Sequence, residues 1–210
     1  MSQLSFESML AKSWSMLESF YDSPARIDLL DFIRMSCGEN SQVLLEEDIA
    51  QNTLFITAEF PKELKQQVEK SDKLDLQVLS VVSEELSHLF HLVHAAQNET
   101  QLSVFQLECI AEIDRFISFL HWDAFCPEFP LPVSLTNCHQ VCDVLFESRS
   151  FQTKNESLYR EAESFAFFHL RNAFSHIWNQ RELDKTTYDP LVKRYIMQLC
   201  QPRTTKLKSA

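Results

Sequence analysis

Glycine is almost missing from this sequence: Gly38 stands alone among 210 residues, where average usage of about 7% would give roughly fifteen. Glycine lets a backbone approach phosphate closely and adopt positive φ, and P-loops, dinucleotide fingerprints and nucleophile elbows all depend on it. Those sites are excluded. Tight two-residue hairpins also favour glycine, so its scarcity argues against a sheet-rich fold. Long apolar runs are missing as well: nowhere do about eighteen apolar residues occur in succession, and Met1 to Lys12 lacks the basic start and apolar core of a secretory signal. The expectation is a cytoplasmic protein with no membrane attachment. Six cysteines, Cys37, Cys109, Cys126, Cys138, Cys142 and Cys200, lie scattered through apolar surroundings in a chain too large to need disulfide staples, and read as free thiols.

What is present suits one folded domain. Apolar residues make up 45% and charged residues 23%, ordinary values for a chain long enough to bury one core. The net charge of −11 discourages non-specific binding to nucleic acid or anionic membranes by the molecule as a whole. Its distribution is uneven, because residues 151 to 210 carry 10 basic and 6 acidic side chains. An acidic body with a basic end either pairs these halves within the fold or a dimer, or presents one face that attracts anions.

Helical periodicity dominates. A first helix is expected over residues 4 to 21, with Phe6, Met9, Leu10, Leu17, Phe20 and Tyr21 at helical spacing, and another from Pro24 through Ile33. Leu54, Ile56, Ala58 and Phe60 alternate like a strand, but without a recognisable partner, so 41 to 60 reads as irregular. Further helices are expected from Lys73 to Gln97, from Ser103 to His121, from a Thr136 cap to Glu147, from an Asn155 cap to about Trp178, and from Pro190 to Cys200. The run Cys126-Pro127-Glu128-Phe129-Pro130-Leu131-Pro132 must be a loop. The reading is therefore all-α: an irregular bundle of about six to seven helices in one domain over 1–200. Within it lie an amino-terminal part, 1–60, and a main bundle, 73–200, followed by a mobile basic tail, 201–210.

Two segments hold the residues suited to chemistry. On the helix expected over 73 to 97, Glu84, His88 and His91 fall within about 60° of one another, opposite the apolar stripe. Glu85, His88 and His91 form a candidate metal set, because carboxylate and imidazole suit zinc or iron and Glu-x-x-His is the spacing of di-iron bundles. The second Glu-x-x-His of such bundles is missing, although Glu108 and Glu112 follow on the next helix. The alternative is a solvated helix face with an i,i+4 glutamate and histidine pair. Cys138 and Cys142 are a single cysteine pair, short of the paired motifs that structural zinc uses.

The second segment is Leu170-Arg171-Asn172-Ala173-Phe174-Ser175-His176. It resembles the R-N-x-x-x-H motif of HEPN proteins, a helical-bundle family that includes metal-independent endoribonucleases, and Trp178, Glu182, Asp184 and Val192 to Leu199 extend the likeness downstream. The resemblance implies that Arg171 stabilises phosphate charge, His176 acts as general acid or base at a 2′-hydroxyl, and Asn172 orients the site, with RNA as substrate and no cofactor. On an unbroken helix Arg171 and His176 point about 140° apart, so a direct pair needs a break in the helix or a composite site across a dimer. The bland alternative is a central core helix wrapped in Phe165, Phe167, Phe168 and Phe174, with His169 and His176 buried in it.

Three functions follow as expectations. With glycine loops missing and metal sets incomplete, the leading one is an interaction or regulatory protein with a protein partner or self-association. The others are a HEPN-like endoribonuclease and a carboxylate-histidine metal protein.

Overall fold

The computed structural model describes residues 4–51, 53–71, 73–147 and 156–200. Helix α1 spans Phe6–Tyr21 and begins where the Ser5 hydroxyl accepts the Ser8 amide at 3.1 Å. A short 3-10 turn at Leu29–Phe32 leads into strand β1 at Ile33–Ser36, followed by β2 at Gln42–Asp48 and β3 at Thr53–Pro61. The helices α2 (Lys62–Lys70), α3 (Leu76–Gln97), α4 (Val104–Phe125), α5 (Cys138–Cys142), α6 (Glu156–Ala173) and α7 (Pro190–Cys200) complete the fold. No helix among the described residues is long and apolar enough to cross a membrane.

The molecule is mostly helical but not all-α, which corrects the sequence reading. The alternating segment is β3, the central strand of a three-stranded sheet, with β1 parallel on one side and β2 antiparallel on the other. Alternation seats Ile56, Ala58 and Phe60 in the core, where the Phe60 ring packs edge-on against Phe6 at 5.5 Å. The expected helix from Pro24 through Ile33 is replaced by the 3-10 turn and β1. The β2–β3 connection needs no glycine, because Oδ1 of Asp48 accepts the amides of Ala50 and Gln51 at 3.0 and 3.1 Å, a side-chain substitute for a backbone turn.

The same economy holds elsewhere. Positive φ angles fall on Asp22 at the end of α1, on Arg26, and on Glu99 just beyond α3, each at a cost of about 1 kcal/mol relative to glycine. Gly38 does not adopt positive φ, and a Cβ there would meet only the Ser36 hydroxyl, at 3.6 Å.

The hub of the fold is α4, whose residues 108 to 122 are all buried. A capping box starts it, with Ser103 and Gln106 each satisfying the other's backbone amide. Both α1 and α3 pack on it, and so does α6 through the small residues Ala162, Ala166 and Ala173 with Leu170. The proline loop is pinned back onto α4 by the Trp122 indole, which donates to the Phe129 carbonyl at 2.8 Å, and by Asp123, which accepts the Leu131 amide at 2.7 Å. Asn137, one residue beyond the expected Thr136, caps α5, and that helix widens into a π turn over Asp143–Glu147. The Asn155 cap and the tail 201–210 lie outside the described residues.

Candidate functional site

The polar face of α3 is not solvated. It packs against α4, which carries Glu108, Glu112, Asp114 and Arg115 on an otherwise apolar helix, and the two polar sets meet in the interior. Burial of so many ionisable groups is tolerated only where each finds a partner, and here they sort into three clusters.

At the first, Oδ1 of Asp114 accepts the Tyr21 hydroxyl at 2.6 Å, while Oδ2 accepts the Ser87 hydroxyl at 2.6 Å and Nε2 of His91 at 3.0 Å. Three donors on two other helices thus converge on one carboxylate that is 1% exposed. Burial, reinforced by the Asp114 charge, pushes the Tyr21 phenol well above its ordinary range. The second cluster is built on Arg115. Its Nε and Nη2 donate to the Ser80 hydroxyl at 3.0 and 2.6 Å, and Nη1 donates to Oε2 of Glu112 at 2.6 Å.

The third cluster is a buried sandwich, with Nδ1 of His88 3.7 Å from Glu85 and Nε2 3.6 Å from Glu108. Burial opposes charge on this imidazole, but the Glu108 and Glu85 carboxylates outweigh it and carry the pKa up to about 10. Glu85 itself is raised, chiefly by burial. Because the His88 value is higher folded than unfolded, its contribution to stability is complete below about pH 6.5 and is lost as pH rises through 10. Between pH 7 and 8.5 the slope should approach about 1.4 kcal/mol per pH unit. This window reaches at its upper edge the unfolded-state titration of thiols such as Cys109 and Cys138, whose folded values burial raises to about 12, and their share of the decline is common to the wild type and the variant. Urea melts across it should show the decline in the wild type and a flatter profile in His88→Gln; parallel profiles would place the charge elsewhere.

The candidate metal set is divided by this arrangement. Glu85 and His88 are neighbours, but His91 is turned to Asp114. The two carboxylates beside His88 face opposite ring nitrogens, so no single ion could be bound by all three. Among the described residues no group of three or more His, Cys, Asp or Glu side chains is placed to hold a metal ion.

The R-N-x-x-x-H segment is broken where the sequence suggested continuity. Helix α6 ends at Ala173 and the chain runs through turns from Phe174 to Asn179. It is also not a central core helix: Phe165, Phe167 and Phe168 are exposed, and so are Arg171, Asn172 and His176, while His169 is half-buried with Nδ1 2.8 Å from the Tyr195 hydroxyl. Nε2 of His176 donates to Oδ2 of Asp189 at 3.0 Å, and Oδ1 of the same carboxylate caps α7 by accepting the Leu191 amide at 2.8 Å. Burial works against the Asp189 charge, but these hydrogen bonds hold its carboxyl below the usual range.

Arg171 opens instead onto a cleft of about 550 Å³ lined with His139, Phe146, Phe167, Ser175 and Trp178, and His176 is not part of that lining. The motif therefore supplies two sites, an arginine in a cleft with no partner among the described residues and an oriented histidine beside α7. A third feature is apolar. Between α4, α6 and α7 runs a groove of about 330 Å³ whose apolar walls are Phe105, Cys109, Ile110, Ile113, Phe165 and Leu199, with Gln106 and Gln198 also lining it. No sequence pattern announces this groove, because its walls come from three separate helices.

The chain matches no family model, no curated protein and no solved structure, so its residues and their geometry carry the functional reading alone.

Proposed function

We propose that this is a cytoplasmic interaction or regulatory protein that works by binding a protein partner or a second copy of itself. The observation that carries this reading is the apolar groove between α4, α6 and α7 together with the phenylalanines beside it. Phe165 borders the side of α6 that packs on α4, Phe168 lies about 60° further round, away from Ala162 and Ala166, and the two are 38% and 60% exposed. Contiguous exposed aromatic surface is costly in isolation and characteristic of contact sites. By contrast, the ionisable groups of α3 and α4 are engaged with one another in the interior, the arrangement of a structural network. A Phe165→Ser/Phe168→Ser variant should weaken association by about 2 kcal/mol or more, roughly thirtyfold, at unchanged circular dichroism. Undiminished association in that variant counts against the reading.

A second reading is favoured by the break after Ala173. A HEPN-like, metal-independent endoribonuclease would use Arg171 for phosphate charge, with Asn172 orienting the site and His176 as the acid or base. The Asp189 carboxylate suits such a histidine, because it fixes the ring and stabilises the imidazolium. As Arg171 and His176 open onto different surfaces, this reading calls for a composite site across a dimer. Purified protein incubated with total RNA in chelator should then cleave, and His176→Ala should slow cleavage by about a hundredfold or more. Identical RNA profiles for the two proteins would remove the reading.

A further inference from the structure

We propose that the cleft at the end of α6 binds a nucleobase carrying a phosphate, independently of the partner surface and of any cleavage. Its volume of about 550 Å³ lies within the range of about 300–1,000 Å³ typical of small-molecule sites, and its walls combine two chemistries.

The first is aromatic. Phe167 stands nearly perpendicular to both Trp178 and Phe146, each ring pair 6.1 Å apart. Rings set at right angles around a cavity leave one face free to stack on a planar ligand while another closes its edge.

The second is cationic. The Arg171 guanidinium has no ion-pair or hydrogen-bond partner among the described residues, although the chain has 30 acidic side chains. A planar guanidinium free to make paired hydrogen bonds is suited to phosphate. His139 stands across Trp178, its ring 5.5 Å away, with Nε2 3.4 Å from Oδ1 of Asn179 and no hydrogen-bond partner on Nδ1 among the described residues. Asp143 is the one acidic residue of the lining among the described residues. An inorganic anion would leave the aromatic walls unused, and a purely apolar ligand would strand the arginine. A base joined to a phosphate uses both.

Such a group is presented either by a free nucleotide or by a single strand of RNA. Isothermal titration of the full chain with AMP, UMP, adenosine, inorganic phosphate and a single-stranded RNA hexamer separates these sources. The expected result is saturable one-to-one binding of a mononucleotide, or tighter binding of the hexamer if a strand is the natural source. Adenosine and phosphate alone should each bind at least tenfold more weakly. Arg171→Gln and Phe167→Ala each change an exposed residue, so both variants should fold, as thermal melting will verify, and each should weaken binding at least tenfold. No saturable binding of nucleotide or hexamer up to millimolar concentration would overturn the proposal. So would binding that both variants leave unchanged. Neither result depends on a partner being present or on RNA being cut.

Discussion

Asp114→Ala should lose about 3–5 kcal/mol of folding stability, the range seen when one partner is removed from a buried charged network. Against a typical total of about 5–15 kcal/mol, that is enough to leave the chain partly unfolded at physiological temperature. The reason lies in convergence. Tyr21 on α1 and Ser87 and His91 on α3 all direct their donors at this one carboxylate on α4, and alanine would strand three polar groups in the interior at once. Asp114→Asn should cost less, because its carbonyl oxygen still accepts from Tyr21. Urea melts report the difference as a lowered midpoint at unchanged slope. A loss below about 1 kcal/mol for the alanine variant would mean that water reaches the cluster and replaces the carboxylate.

Arg115→Met should be comparably damaging, for a reason that a second substitution exposes. Methionine preserves much of the volume but removes the charge facing Glu112, which is itself 2% exposed, and the two N–H groups that donate to the Ser80 hydroxyl. Removing one member of a buried pair costs about 3–5 kcal/mol, whereas replacing both by apolar residues is often neutral. Arg115→Met combined with Glu112→Leu should therefore recover most of the loss. If the double variant is as unstable as the single one, the arginine matters through Ser80 and the packing of α3 on α4, and the charge on Glu112 is incidental.

These networks were only half legible in the sequence. The polar stripe on α3 was visible from helical spacing, but its burial was not, because burial depends on what the next helix presents. The signal was there in Glu108, Glu112, Asp114 and Arg115, four ionisable residues inside an apolar run that reads as a core helix. A helix that must be buried can carry such residues only if its neighbour supplies complements. The helices were clear where their caps are local: Ser5 and Ser103 mark the starts of α1 and α4 within the segments that periodicity picks out, and Asp189 caps α7 from just before the expected Pro190 start. The sheet was obscured because β3 pairs with β1 across more than twenty residues, and because Asp48 forms the hairpin turn that glycine usually announces. At the motif, helix propensity favoured continuity through Phe174, and tertiary contacts of Phe174 and Trp178 with Phe116 accompany the break.

Binding through the α6 face is tested most directly by the mass of the protein as it leaves a native lysate without an affinity tag. Native mass spectrometry should find a stoichiometric complex, with another protein or with a second copy, that is lost in the Phe165→Ser/Phe168→Ser variant. A wild-type protein that emerges alone and monomeric, or a complex that survives the two substitutions intact, would contradict the reading.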